Sequence, residues 1–128
     1  MINSLILVLV LMILGHLIAD YLLQGWLAQS KAKSYWENAP KENRKDYIAA
    51  LLAHSTMWGI IVFIPIMGYS WGNLGWLWLL LPANIAIHCL VDDLKANKKK
   101  INLIQDQLLH LTQIVITWII WFVITSII

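Results

Sequence analysis

Histidine and aspartate side chains recur in this sequence at a spacing of four residues. The pairs are His16 and Asp20, His88 and Asp92, and Asp106 and His110, and the remaining histidine is His54. Residues at i and i+4 of an α-helix lie on one face about one turn apart, so each pair presents a carboxylate beside an imidazole. Both groups bind divalent ions such as Zn, Mn, Fe and Ni. All seven side chains are therefore candidate ligands for one or two divalent ions, with Zn as the first choice.

The elements that must carry these residues are long and apolar. The chain has 128 residues, of which 60% are hydrophobic and 12% charged, and its mean hydropathy is +0.71. Soluble proteins carry about 25% charged residues, and a helix needs about 20 mostly apolar residues to cross a bilayer. Four segments meet that length, at about 2–24, 47–67, 74–94 and 103–128. We therefore expect one all-α transmembrane domain over residues 1–128, an integral membrane four-helix bundle that runs up-down-up-down.

The charges predict how this bundle is oriented. All nine basic residues lie in the two links at 25–46 and 95–102. Because Lys and Arg are enriched in cytoplasmic loops, we expect both links in the cytoplasm, and both termini and the turn at 68–73 on the outer side. The first link is expected to carry a short surface helix over 30–36. The single cysteine, Cys89, excludes an internal disulfide and a cysteine-based zinc cluster.

The candidate ligands should lie at a common depth. The pairs stand near the ends of the first and third predicted helices and near the start of the fourth, and His54 stands near the start of the second. In an up-down-up-down bundle those four helix ends share one face. An acid at the bilayer centre costs at least about 2.5 to 3.5 kcal/mol, so such groups face the interior and pair with something. A shared metal ion is one such partner, and bundle cores lined by carboxylates and histidines hold dinuclear sites.

Three alternatives to a metal site stay open. The groups could satisfy one another as a polar network, form a proton or ion path, or ligate haem through paired histidines. Haem fits less well, because three carboxylates would then be buried without partners beside the porphyrin.

Several motifs extend over most of the chain. They are the run from Gly15 to Gln24 (GHLIADYLLQ), His54, His88-x3-Asp92-x2-Lys95 and Asp106-Gln107-x2-His110. This set resembles a family of small bacterial and phage membrane proteins that is known only as a domain of unknown function. It is distantly similar to the membrane-bound metal-dependent hydrolases, which distribute His and Asp over transmembrane helices. The first resemblance implies a multi-pass protein of a bacterial inner membrane, encoded by a bacterium or a phage, and the second implies a hydrolase.

If the protein is a hydrolase, its polar residues would have different roles in the reaction. A Lewis-acidic ion activates water and polarises the bond to be cut. Asp106, as a bridging ligand or general base, and Asp92 are the candidate catalytic residues. Gln24, Asn84 and Gln107 would orient ligands or substrate. Lys95 lies about one turn beyond Asp92, where its amine could reach the interface and meet a phosphate.

The expected depth of the site in the membrane indicates which substrates and partners it would meet. A polar site at the inner headgroup level favours a lipid, a lipid-linked phosphate or another amphiphile as substrate, and the bilayer itself is a partner. Nucleic acid is not expected, because no aromatic-basic interleaving accompanies the lysines. The alternatives are a proton or metal-ion transporter, and a non-catalytic accessory protein whose polar network sets packing. Four short helices are also compatible with a homo-oligomer.

Overall fold

The computed structural model describes residues 2–71 and 75–127, and within these ranges the chain forms helices and no strand. Four helical segments are long and apolar enough to span a membrane: Asn3–Leu22, Lys41–Tyr69, Gly75–Ala96 and Leu103–Ile127. The prediction of an all-α chain with four candidate spans is confirmed, and the chain is compatible with a multi-pass membrane protein.

Helices account for most of the described chain. Their bounds are α1, Ile2–Leu17, extended by a π-helical turn, Ile18–Leu22; α2, Leu27–Ser30; α3, Asp46–Tyr69; α4, Leu80–Ala96, preceded by a 3-10 turn, Gly75–Leu79; and α5, Leu103–Ile127. Two further 3-10 turns, Lys33–Trp36 and Lys41–Asn43, lie in the link between α2 and α3.

Several of these bounds differ from the predicted ones. The sequence predicts a helix over 74–94, whereas α4 begins at Leu80, after the 3-10 turn, and ends at Ala96. The first helix ends in a π-helical turn, in which the Leu23 amide donates to the Ile18 carbonyl at 3.0 Å. Instead of one surface helix over 30–36, the link forms α2 and a separate 3-10 turn, because Ala32 between them is extended (φ −93°, ψ 133°). α3 continues to Tyr69, and residues 72–74, which include the end of the predicted turn and the first residue of the third predicted span, lie outside the described residues.

The long helices form a closed bundle. α3 packs against α1 and α4, and α5 packs against α4 and α1. Two glycines of the bundle allow close approach: a Cβ at Gly59 would lie 2.5 Å from Cγ1 of Ile85, and one at Gly15 would lie 3.2 Å from the Ile61 carbonyl oxygen. The apolar core between the helices is built around fully buried side chains, which include Met12, Trp58, Ile66, Ile114 and Trp121.

The surface and interior reverse the usual distribution of polarity. Large apolar side chains point outward along the four long helices; Leu7, Ile64, Leu90 and Ile116 are each at least 51% exposed. Many of the polar side chains of these helices are buried instead. Soluble monomers rarely expose contiguous apolar surface of more than a few hundred Å². This distribution is typical of helices that contact lipid.

Both basic links lie at one end of the bundle, which we call the basic end. Asn97, just after α4, donates from Nδ2 to the Lys31 carbonyl at 3.2 Å and accepts at Oδ1 from the Lys33 amide at 2.7 Å. The link from α1 to α3 is thereby attached to the end of α4. The ends of α1 and α4 and the starts of α3 and α5 consequently meet at the basic end.

Candidate metal centre

All seven candidate ligands lie inside the bundle near the basic end, and none is more than 5% exposed. We call this group the His/Asp cluster; its members are His16, Asp20, His54, His88, Asp92, Asp106 and His110. They come from α1 and its π-helical turn, α3, α4 and α5. The structure therefore brings together side chains from all four candidate spans.

One triad in the cluster has the dimensions of a metal site. His54 Nε2 lies 3.3 Å from Asp20 Oδ1 and 3.2 Å from His88 Nε2, and His88 Nε2 lies 3.8 Å from Asp20 Oδ1. A tetrahedral Zn centre with bonds of about 2.0 to 2.1 Å has its ligand atoms about 3.3 Å apart. These three atoms therefore lie at nearly the separations that one ion would require, and the triad could hold a metal ion.

A second triad shares His88 with the first. It consists of His88, Asp92 and His110, and it could also hold a metal ion. His110 Nε2 lies 3.4 Å from Asp92 Oδ1 and 3.4 Å from Asp106 Oδ1. The His88 and His110 rings stack with their centroids 4.1 Å apart. The donor atoms of the cluster are thus nitrogen and carboxylate oxygen, the mixture that Zn and other first-row divalent ions accept.

Several cluster atoms have no hydrogen-bond partner among the described residues. They are Asp20 Oδ1, Asp106 Oδ1, Nδ1 of His54 and of His88, and both ring nitrogens of His110. An unpartnered buried polar group costs about 1 to 3 kcal/mol. The hydrogen bonds within the cluster, such as the 3.2 Å contact between His54 Nε2 and His88 Nε2, therefore leave several polar atoms open to a further partner such as an ion.

His16 occupies a different place from the two triads. Its Nδ1 accepts a hydrogen bond from Trp58 Nε1 at 2.9 Å, and its Nε2 lies 3.1 Å from Gln107 Oε1. With Nδ1 accepting and Nε2 donating, the neutral imidazole has no lone pair left for an ion. In this arrangement His16 supports the cluster through hydrogen bonds and offers no ligand atom.

Trp58 is a member of the site that the histidine and aspartate pattern does not indicate. Its ring stacks on His88 with the centroids 4.1 Å apart and an interplanar angle of 20°, while its indole nitrogen donates to His16. Trp58 is four residues after His54 and so continues the same face of α3. That spacing is the signal the sequence offers, but the chain contains eight tryptophans, and spacing alone does not distinguish this one from a packing residue.

Two lysines and a glutamine complete the polar surroundings. Lys31 Nζ lies 2.6 Å from Asp92 Oδ2, and Lys95 Nζ lies 2.6 Å from Asp106 Oδ2. Gln107 Nε2 donates to Asp106 Oδ2 at 3.0 Å and to an Asp20 oxygen at 3.3 Å. Gln107, which the sequence suggests as an orienting group, thus contacts the cluster. The Lys95 amine, expected to reach the interface and meet a phosphate, pairs with Asp106 in this structure. The charge pattern of the sequence relates Lys31 to topology only.

Asn84 and Gln24 lie apart from the cluster's hydrogen bonds. Asn84 Oδ1 accepts from Gln113 Nε2 and from Thr117 Oγ1, each at 2.9 Å, and its Nδ2 donates to the Leu80 carbonyl. Asn84, Gln113 and Thr117 form a separate layer farther from the basic end. Gln24 follows the π-helical turn, is partly exposed, and makes no side-chain hydrogen bond within the described part of the chain.

Comparison with known proteins places this sequence in a family. Residues 8–128 match a family model described as "Protein of unknown function (DUF3307)". The chain belongs to the DUF3307 family. The matched range contains every member of the His/Asp cluster. No curated protein and no solved structure matches the chain. The resemblance to a family of unknown function agrees with this match, whereas the likeness to metal-dependent hydrolases stays a hypothesis.

Proposed function

We propose that this DUF3307 protein is an intramembrane metal-dependent hydrolase. The observation that carries the proposal is the triad of Asp20, His54 and His88. Their atoms Oδ1, Nε2 and Nε2 lie 3.2 to 3.8 Å from one another, and Asp20 Oδ1 has no hydrogen-bond partner among the described residues. Zn fits these nitrogen and oxygen donors best, with Mn, Fe or Ni as alternatives. Such an ion would supply the Lewis acidity for hydrolysis.

The chain's own residues suit the remaining tasks of a hydrolase. Asp92 and Asp106 are buried carboxylates in contact with His110, and either could accept a proton from an attacking water. Gln107 lies against Asp20 and Asp106 and could orient a polar group between them. The Lys95 side chain is 33% exposed and extends from the cluster to the surface. Lys95 is therefore the residue that we propose contacts an anionic group of the substrate.

Position supports an amphiphilic substrate. His54 lies eight residues after Asp46, where α3 begins, a rise of about 12 Å at about 1.5 Å per residue. If the basic end faces the cytoplasm of a bacterial inner membrane, as the positive-inside rule favours, the cluster lies just below the inner headgroups. We therefore propose a lipid, a lipid-linked phosphate or another amphiphile of that leaflet as the substrate.

Metal content tests the proposal first. Protein purified in detergent without a metal-affinity tag should contain near-stoichiometric divalent metal, measured by mass spectrometry of the elements. His54→Ala should lose the metal, because it removes the nitrogen common to the shortest contacts of the triad. Glu37→Ala, which changes an exposed acid in the first link, is the control and should retain the metal.

Activity tests the second step. The loaded protein should release phosphate from short-chain phosphatidic acid or from a polyprenyl diphosphate, and Asp106→Asn should slow that release. If the protein holds metal but releases no product from either amphiphile, the hydrolase proposal is wrong for lipid phosphates. If it folds without metal, a non-catalytic accessory role accounts better for the buried polar residues.

One observation favours ion transport as the second candidate. The layer of Asn84, Gln113 and Thr117 continues the cluster along the bundle, and nearer the opposite end Trp121 Nε1 donates to Ser70 Oγ at 2.8 Å. Buried polar groups at successive depths are typical of ion and proton paths. Proteoliposomes would decide this: a Zn²⁺ or proton flux that Gln113→Leu abolishes supports transport and opposes the enzyme.

A further inference from the structure

Lys31 reaches the cluster from outside the long helices. It follows α2 in the first link, yet it is only 7% exposed, and its Nζ lies 2.6 Å from Asp92 Oδ2. Asn97 holds the backbone on both sides of it, through the Lys31 carbonyl and the Lys33 amide. The link thus positions the Lys31 ammonium group against Asp92, a candidate metal ligand.

The two lysines neutralise one side of the cluster only. Lys31 binds Oδ2 of Asp92 and Lys95 binds Oδ2 of Asp106, and the other oxygen of each carboxylate lies 3.4 Å from His110 Nε2. Asp20 forms its ion-pair contacts with histidines alone within the described residues. Asp92 Oδ2 also lies 3.3 Å from His54 Nε2 and 3.7 Å from His88 Nε2. A divalent ion beside these two histidines would therefore find one uncompensated carboxylate, Asp20, and one, Asp92, that Lys31 already compensates.

The charge balance of the cluster limits the number of ions. With neutral histidines, the three carboxylates and the two ammonium groups leave a single uncompensated negative charge. One divalent ion reverses this to a single positive charge, which a hydroxide or an anionic substrate group can balance. Two divalent ions would leave three positive charges in a buried site, where uncompensated charge is costly.

His88 gives a second, independent reason. Both triads include it, and a neutral imidazole has only one nitrogen with a free lone pair. His88 can therefore serve one ion at a time. A second ion near His110 would have to rely on Asp92 and Asp106, the two carboxylates that the lysines already hold.

From these observations we infer that the Lys31 ammonium takes the place of a second divalent ion, so that the centre binds one ion, at Asp20, His54 and His88. The inference rests on the proposed metal-dependent function and names the number of ions and the residue that sets it. Lys31 is a positioning residue: it fixes Asp92 and excludes a cation from its carboxylate.

Counting bound metal tests the inference. After incubation with excess Zn²⁺ and removal of free ion, the wild-type protein should carry about one Zn per chain. Lys31→Met should carry about two, because Asp92 then loses its ammonium partner and can bind a second ion together with Asp106 and His110, whose Nε2 lies 3.4 Å from both carboxylates. Lys33→Met, a matched change two residues away at an exposed lysine that lies over the Tyr47 ring, should stay at one.

The outcomes separate this inference from the proposed function. Two ions in the wild type, or one ion in Lys31→Met, would overturn the role of Lys31 and leave a metal-dependent enzyme standing. No ion in the wild type would overturn both. Should Lys31→Met fail to fold, titration of the metal-free wild type with Co²⁺ decides: we expect one absorbance step, complete at one equivalent, and a second step of similar affinity would contradict the inference.

Discussion

At the scale of single residues, the cluster is held in place by side chains that each contact at least two of its members. Trp58 places its ring on His88 and its N–H on His16, and Gln107 connects His16 to two carboxylates. In a low-dielectric interior, a buried polar group that loses its hydrogen-bond partner is costly. The supporting residues should therefore matter for stability even where they offer no ligand atom.

Replacing Trp58 by Phe tests this point. The change preserves an aromatic ring beside His88 but removes the donor to His16 Nδ1, which then becomes a buried acceptor without a partner. We expect a loss of about 1 to 3 kcal/mol in the free energy of unfolding, measured by denaturation in detergent. Trp76→Phe, at an indole that is 81% exposed, is the control and should change stability little. Equal losses in both variants would contradict the role of the hydrogen bond.

At the scale of elements, the position of α3 explains how four helices share one site. It carries His54 and packs against both α1 and α4. Asp20 lies in the π-helical turn that extends α1, and His88 lies in α4. The contact with α4 depends on the absence of a side chain at Gly59, where a Cβ would lie 2.5 Å from Ile85 Cγ1. Separation of α3 from α4 would also separate His54 from His88.

The same substitution at two glycines of α3 measures that dependence. Gly59→Ala should destabilise the protein by about 1 to 3 kcal/mol, because the added methyl group overpacks the contact with Ile85. Gly68→Ala, where a Cβ would meet nothing within 4 Å, should be neutral or stabilising by up to about 1 kcal/mol, because Ala favours helix. Thermal unfolding of both variants provides the measurement. If Gly68→Ala lost as much stability as Gly59→Ala, the steric explanation would be wrong.

At the scale of the whole molecule, a bound ion would act as a crosslink between distant parts of the chain. Asp20, His54 and His88 belong to three different candidate spans. A ligand that binds only the folded state stabilises it by about 2.7 kcal/mol at a concentration of 100 times its dissociation constant. Metal binding and the stability of the bundle should therefore be coupled.

Chelation tests the coupling. Removing the metal with EDTA should lower the Tm of the wild-type protein, and adding Zn²⁺ should restore it. The His54→Ala variant should have a lower Tm from the start and should respond to neither treatment, because it lacks one member of the triad. A variant that responds as strongly as the wild type would show that the ion binds elsewhere.

Much of the architecture follows from local pattern. Long apolar runs interrupted by two basic links predict four helices, because a helix is the element that satisfies its own backbone groups in an apolar solvent. Spacing of four residues predicts which side chains share a helix face, and the alternation of helix direction predicts that His16, His54, His88 and His110 meet at one end. These inferences use only period and order along the chain, and both are properties of the sequence.

The rotation of each helix about its axis and the path of the links follow from packing between distant segments. For this reason Lys31, in a link that the charge pattern relates to topology, lies in the site, and Asn84 pairs with Gln113 in a layer of its own. The π-helical turn at 18–22 changes the register at Asp20, and both nitrogens of His16 turn to Trp58 and Gln107. Such contacts depend on complementary shape and charge between residues up to 91 positions apart, which spacing within one helix does not encode.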